Sequence, residues 1–288
     1  MRQKKSGRTT DMNLWNNHRS QGRKDIFTYV AVAIALLVIF FIGSAILAIV
    51  LGGLPGFWKN IKSREVLFAL RLSVTTATVS SIVVMALALP TAYALTRTSM
   101  PLKRSCSLLI ELTLSLPFIL LGLSLLIMFS SPAGKWLKFH GIRVVFAPLG
   151  IVMAHLLVNL PYAIRLVKTA FENADTRLEF IAETLGASRF QSFRTILIPG
   201  CRSSLISTFI LTWSRAMGEF GATLMLVGIT RMKTETLPGS IYLNISTGNN
   251  EAAMSTAVLI LIISGTALFL SQLAARKNSE HGRQVERQ

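Results

Sequence analysis

Residues 176–199 read TRLEFIAETLGASRFQSFRTILIP, a polar interval between two strongly apolar stretches. Thr176 with Glu179 has the form of a capping box, a hydroxyl and a carboxylate that satisfy backbone donors at a helix start. Leu178, Ile181, Ala182 and Leu185 then recur at helical spacing and give the helix one apolar face. Gly186 is read as a left-handed stop, a conformation in which a side chain is disfavoured. Ser188 with Gln191 caps a second helix, which is expected to run until Pro199 ends it. Two short helices broken at a glycine, set between apolar segments, make a compact knob for a partner protein to grip. The alternative is an amphipathic connector lying on a membrane surface.

The flanking stretches decide the fold class. Hydrophobic residues make up 51% of the 288, and the mean hydropathy of +0.54 is far from the balance of a water-soluble domain. Five or six segments are long enough to cross a hydrocarbon core, which needs about 20 mostly apolar residues. They lie near Ile26–Leu51, Val66–Leu95, Ser107–Phe129, Leu149–Val167, Ser203–Val227 and Ala252–Ala275. The expected fold is therefore all-α, a polytopic membrane protein with six transmembrane helices. The first apolar run is too long for a signal-peptide core and is read as a retained anchor. The expected layout is a basic cytoplasmic tail at 1–25, a membrane domain at 26–275 and a cytoplasmic tail at 276–288. Pro90, Pro117 and Pro161 fall inside spans, where each removes a backbone hydrogen bond and can bend its helix.

A net charge of +17 raises the question of nucleic acid, and its distribution answers it. With the N-terminus inside, cytoplasmic segments hold 20 Lys and Arg and the external loops hold eight, while Arg71 and Arg215 lie within spans. That bias follows the positive-inside rule. It puts both termini and residues 176–199 in the cytoplasm, with 52–64, 131–147 and 228–250 outside. The basic tails then read as topology signals and contacts to membrane lipids, with no nucleic acid as partner. Cys106 and Cys201 both fall at cytoplasmic ends of spans, which argues against a disulfide, and no metal-ligand spacing exists. His155, alone inside a span, is expected to bond a neighbouring helix. No G-x-x-x-x-G-K-[ST] motif occurs, so any energy source belongs to a partner. A polytopic lipid-modifying enzyme would need a nucleophile or an acid–base cluster at the interface, and the sequence offers none.

The fifth apolar segment carries a polar stripe. On a continuous helix Ser204, Thr208, Thr212, Arg215, Glu219 and Thr223 fall within an arc of about 100°. Arg215 and Glu219 stand four residues apart and are expected to pair along the helix. Two readings stay open: a buried pair that orients the span, or the lining of a polar pathway, because charged residues inside membranes normally face a protein interior or water.

The loop at 176–199 resembles the cytoplasmic EAA loop of ABC importer permeases, E-A-A-x-x-x-G-x9-I-x-L-P. Ala182, Gly186, Ile196 and Pro199 stand at the required spacing, while Phe180, Ile181 and Ile198 depart from the pattern. The run from Ser214 to Thr223, SRAMGEFGAT, is similar to the R-A-x-G-E-F-G-A-T signature of molybdate and tungstate permeases. Sulfate permeases tend to read G-E-Y-G-S there, so Phe220 and Ala222-Thr223 favour the molybdate/tungstate branch. Leu237–Tyr242 through Glu251-Ala252-Ala253 also looks like that branch, where a short external re-entry precedes the last span. The resemblance covers roughly residues 66–275 and implies a type I importer permease, which is a transport subunit and not an enzyme.

It further implies a homodimer with the pathway between subunits, a dimer of ATP-binding subunits and an extracellular or periplasmic oxyanion-binding protein. No cofactor belongs to this chain; ATP and magnesium belong to the ATPase. The implied ATPase-coupling residues are Leu178, Ile181, Ala182, Glu183, Leu185, Gly186 and Arg189. The implied substrate path is Ser204, Thr208, Thr212, Arg215, Glu219 and Thr223. A sulfate or thiosulfate permease of the same architecture is the nearest rival.

Overall fold

The computed structural model describes the backbone of residues 26–285 and the side chains as far as residue 273. The tail 1–25 lies outside the described residues, as does the end of the tail 276–288 beyond residue 285. The chain divides into two units between Leu51 and Gly52. The first consists of nearly all of α1 (Ile26–Gly53), which is apolar on every side. Nothing in such a sequence selects a face, the pattern of a helix surrounded by hydrocarbon.

Among its described residues the second unit contains helices joined by turns and loops, with no strand. A short α2 (Phe57–Asn60) leads to α3 (Arg64–Arg97), then α4 (Lys103–Ser115), α5 (Phe118–Ser130) and α6 (Pro132–Phe139). There follow α7 (Pro148–Glu172), α8 (Thr176–Thr184), α9 (Arg189–Ser192), a π-helical turn at Phe193–Leu197 and α10 (Ile198–Gly200). The chain ends with α11 (Arg202–Met217), α12 (Gly221–Val227), α13 (Leu237–Ser246) and α14 (Asn250–Val285). Four helices, α1, α3, α7 and α14, are long and apolar enough to cross a membrane, and the count is six if each of two bent pairs is one span.

The frame of this unit is α3 against α7. Ser63 Oγ accepts from Val66 N at 3.2 Å and starts α3, which then runs 34 residues through Pro90 without a break. Pro148 opens α7 in its first turn, where no amide donor is missed, and α7 continues through Pro161. Small residues let the two backbones approach: Ala88, Ala92 and Ala163 are fully buried, with Val84, Val167 and Phe171 filling the spaces between them.

Two expected spans are not straight. The segment expected as one helix at 107–129 is α4 and α5, bent by 111°. Pro117 biases the residue before it away from the helical region, and Leu116 is extended at ψ 141°. The segment expected as one helix at 203–227 is α11 and α12, with Gly218 to Phe220 outside both. The two later halves pack together, and Gly122 of α5 sits where an added Cβ would lie 2.5 Å from the carbonyl oxygen of Ala222 in α12. Only glycine permits that approach. Residues 228–246 do not loop freely, for Thr234, Glu235 and Thr236 are buried and Leu237 N donates to Ser73 Oγ of α3 at 2.8 Å.

Candidate functional site

Loop 176–199 has the two-helix form expected, with different caps. Asp175 begins α8, its Oδ1 accepting from Arg177 N at 2.9 Å, so Thr176 is already helical and the Thr176–Glu179 capping box is not made. Glu179 points inward instead. It is 9% exposed and accepts from Arg97 Nε at 3.0 Å, and Arg97 Nη2, 2.9 Å from the same carboxylate, also donates to the Phe171 carbonyl at 2.8 Å.

At the other end Gly186 has φ +94°. Ala187 N donates to Ala182 O and Gly186 N to Glu183 O, both at 3.0 Å, which closes α8 as a Schellman motif. The Ser188–Gln191 capping box is present as expected, its hydrogen bonds at 3.2 and 2.8 Å. Pro199 does not end the second helix. A π-helical turn carries it to Gly200, and the break, a bend of 74°, comes at Cys201.

The outer face of this knob is apolar and open. Leu178, Phe180, Ile181, Leu185 and Phe190 are all exposed, Leu185 at 84%. Glu183, Gly186 and Arg189 are exposed beside them and Ala182 is half-buried. Sequence spacing finds this face but misses its anchor. In the sequence Arg97 is only one more cytoplasmic charge, and its contact with Glu179 spans 82 residues.

The polar stripe survives in altered form. Because α11 stops at Met217, Arg215 and Glu219 do not share a helix, and among the described residues no ion pair joins them. Glu219, 4% exposed, turns to the next helix, where its Oε1 accepts from Ala222 N at 2.8 Å in the first turn of α12. Arg215 lies between two aromatic faces, its guanidinium carbon 5.0 Å from the Phe118 ring centroid and 4.9 Å from that of Tyr162. Such cation–π contacts hold the charge without neutralising it. Its Nε is buried with no acceptor. The expected pair is therefore corrected: the glycine break sends the two charges to different neighbours.

The breaks meet. An added Cβ on Gly221 would stand 3.4 Å from Ile119 N and from Phe118 Cβ, so the start of α12 lies against the start of α5, with Arg215 over Phe118. The N-terminus of α5 contributes the positive end of a helix dipole there. Thr208, Thr212 and Thr223 are buried; Thr208 Oγ1 bonds Ser204 O at 2.8 Å, while the hydroxyls of Thr212 and Thr223 have no partner. Ser204 is exposed and shares with Thr208 a groove of about 300 Å³, to which Thr169 of α7 and Asn173 just beyond its end add polar groups. Periodicity misses these two, because a helical wheel sees only its own helix. His155 bonds a neighbouring helix as expected, its Nδ1 3.3 Å from Ser80 Oγ of α3, and Asn159 one turn on is buried with no side-chain partner. Among the described residues no cluster of His, Cys, Asp or Glu could hold a metal ion.

Comparison with known proteins fixes the family. Residues 85–278 match the family described as binding-protein-dependent transport system inner membrane component. The chain is 32% identical to the sulfate transport system permease protein CysT of Escherichia coli (strain K12) over 215 residues, 74% of this chain and 78% of that protein. It is 34% identical to the molybdenum transport system permease protein ModB of Mycobacterium bovis over 224 residues, 77% of this chain and 84% of that one. The fold is shared with a chain from the crystal structure of a bacterial alginate ABC transporter in complex with alginate pentasaccharide-bound periplasmic protein. The TM-score is 0.71 at 13% identity, covering 92% of this chain and 97% of that chain. The chain thus belongs to the binding-protein-dependent ABC permeases: it is a multi-pass membrane component of a transport system, and not an enzyme.

Proposed function

We propose that this permease carries a small doubly charged oxyanion inward, molybdate or tungstate before sulfate or thiosulfate. The observation that carries the reading is Arg215, a cation held at two helix breaks by aromatic rings with its Nε left without an acceptor. A dianion entering a low-dielectric path needs such a donor, and the hydroxyls of Ser204, Thr208, Thr212 and Thr223 extend it. Glu219 orders α12 beside the path. Similar proteins named for sulfate and for molybdenum support an oxyanion, and Phe220 with Ala222-Thr223 favours molybdate or tungstate.

The permease domain is taken as 26–275, with cytoplasmic tails at 1–25 and 276–288. Two copies would enclose the path, an external binding protein would deliver the anion, and two ATPase subunits holding ATP and magnesium would dock on the loops. Leu178, Ile181, Ala182, Glu183, Leu185, Gly186 and Arg189 form the ATPase-facing surface. A cysteine at Ser188 should stay unlabelled by an impermeant thiol reagent in whole cells, while cysteines at Lys138 and Lys233 react; the opposite pattern refutes the orientation.

Because no ion pair joins Arg215 and Glu219, Arg215 can be tested alone. Arg215→Met should assemble and lose uptake of radiolabelled molybdate, and Arg215→Lys should keep part of it. Normal uptake by assembled Arg215→Met removes the pathway role. Calorimetry of the partner binding protein with molybdate, tungstate and sulfate decides the anion, and tighter binding of sulfate reverses the proposed preference.

A further inference from the structure

Two side-chain contacts that fasten the loop at 176–199 go to the same pair of helices, and Leu197 is buried in the core those helices form. Through Arg97, α8 is tied to the end of α3 and, by the Phe171 carbonyl, to the end of α7. The side chains of Arg97 and Glu179 are only 15% and 11% exposed, so the pair is shielded from competing water. The π-helical turn is fastened by Phe193, whose ring meets Tyr93 of α3 edge-on at 4.9 Å and Phe171 of α7 at 6.2 Å. Toward α11 there is a short helix and then a 74° bend at Cys201, where the buried thiol donates to the Ala170 carbonyl of α7 at 3.5 Å and so pins the pivot to the frame.

We infer that Arg97 is a positioning residue that locks the loop to α3 and α7, so that these three move as one lever while α11 turns at Gly200–Cys201. The inference rests on the reading of the loop as the ATPase-facing surface. A push on α8 would otherwise be absorbed by the short connections at residues 173–175 and 185–188. With Arg97 bonded to Glu179 and to the Phe171 carbonyl, displacement of α8 drags the ends of both frame helices with it. Arg97 is suited to this because its planar fork holds the carboxylate through Nε and Nη2 while Nη2 also reaches the carbonyl; a lysine, with a single nitrogen, lacks the second, orienting contact.

The test uses the complete transporter, with its ATPase and binding protein, in sealed vesicles, and reads anion imported per ATP hydrolysed. Glu179→Gln should keep the ATPase bound and hydrolysing while the ratio falls at least about fivefold, the low end of ordinary coupling between sites. Charge exchange, Arg97→Glu with Glu179→Arg, should recover part of the ratio. A pair that only stabilises the fold would lower the amount of complex recovered and leave the ratio of the surviving complexes at the wild-type value, and that result overturns the inference. Should Glu179→Gln fail to assemble, Arg97→Lys decides by the same ratio: a reduced value supports the lever and an unchanged one ends it. Leu185→Asp separates the two layers. Loss of the ATPase from this variant upholds the loop reading and leaves the clasp to be judged by its own ratio. Retention of a coupled ATPase sinks both.

Discussion

Prolines lie inside α3 and α7 and between α4 and α5, with opposite results. Pro90 and Pro161 stand in helices that continue past them, whereas at Pro117 the chain turns through 111°. Packing explains the difference. Around Pro90, Ala88 and Ala92 are fully buried against α7, and Pro161 is itself buried beside Ala163. Neighbours on these sides hold the chain in the helical region despite the missing hydrogen bond. The residues of α4 are never buried, so nothing opposes the preference of Leu116 for an extended backbone. The second break, at Gly218 to Phe220, falls against the first. Non-helical backbone at membrane depth persists only where protein encloses it or water fills a cavity. The unbroken pair is thus the frame, and the broken pairs are where the proposed function would let polar traffic pass.

Each part of that contrast can be broken. The largest effect is expected from Gly122→Leu, which forces α5 and α12 apart because the first added carbon already overlaps the Ala222 backbone. Overpacking of about 1–3 kcal/mol or more should lower the thermal midpoint of the purified protein by roughly 5–10 °C. An unchanged midpoint would mean that the two halves do not depend on each other. Next, Pro117→Ala should reduce anion uptake more than Pro161→Ala does, since only Pro117 stands at a break that sets Phe118 under Arg215; the reverse order in a transport assay would refute the comparison.

Gly186 comes third. An added Cβ there meets nothing within 4 Å, so only the backbone resists. Gly186→Val should cost about 1–2 kcal/mol and lower substrate-dependent ATPase activity, with Gly186→Asn milder because asparagine tolerates the left-handed region. Equal activity in all three proteins would show that the turn is not under strain. The smallest effect is expected at Gly265 of α14, also surrounded by open space but in ordinary helix. Gly265→Ala should raise stability by about 0.5–1 kcal/mol, read as a rise of a few degrees in the same melting experiment.

The fold class is legible in the sequence, because hydropathy over windows of about 20 residues reports composition and length. So are the Gly186 stop and the Ser188–Gln191 box, since both depend on residues adjacent in the chain. The breaks at Leu116–Pro117 and Gly218–Phe220 are not. A single proline or glycine is compatible with a continuous membrane helix, and what decides is packing contributed by distant residues. The same limit hides the partners of the charges. Arg215 sits on rings from α5 and α7, and Glu179 finds Arg97 across 82 residues, while periodicity compares a residue only with its own helix.

The open face of the knob has a further consequence for the supply of this protein in the cell. Leu178, Phe180, Ile181, Leu185 and Phe190 are all exposed apolar side chains of the loop at 176–199. A surface of that kind left uncovered invites aggregation and capture by chaperones. If, as proposed, ATPase subunits cover this face, a chain made in excess of them would be recognised as unfinished, and its abundance should follow their rate of synthesis rather than its own.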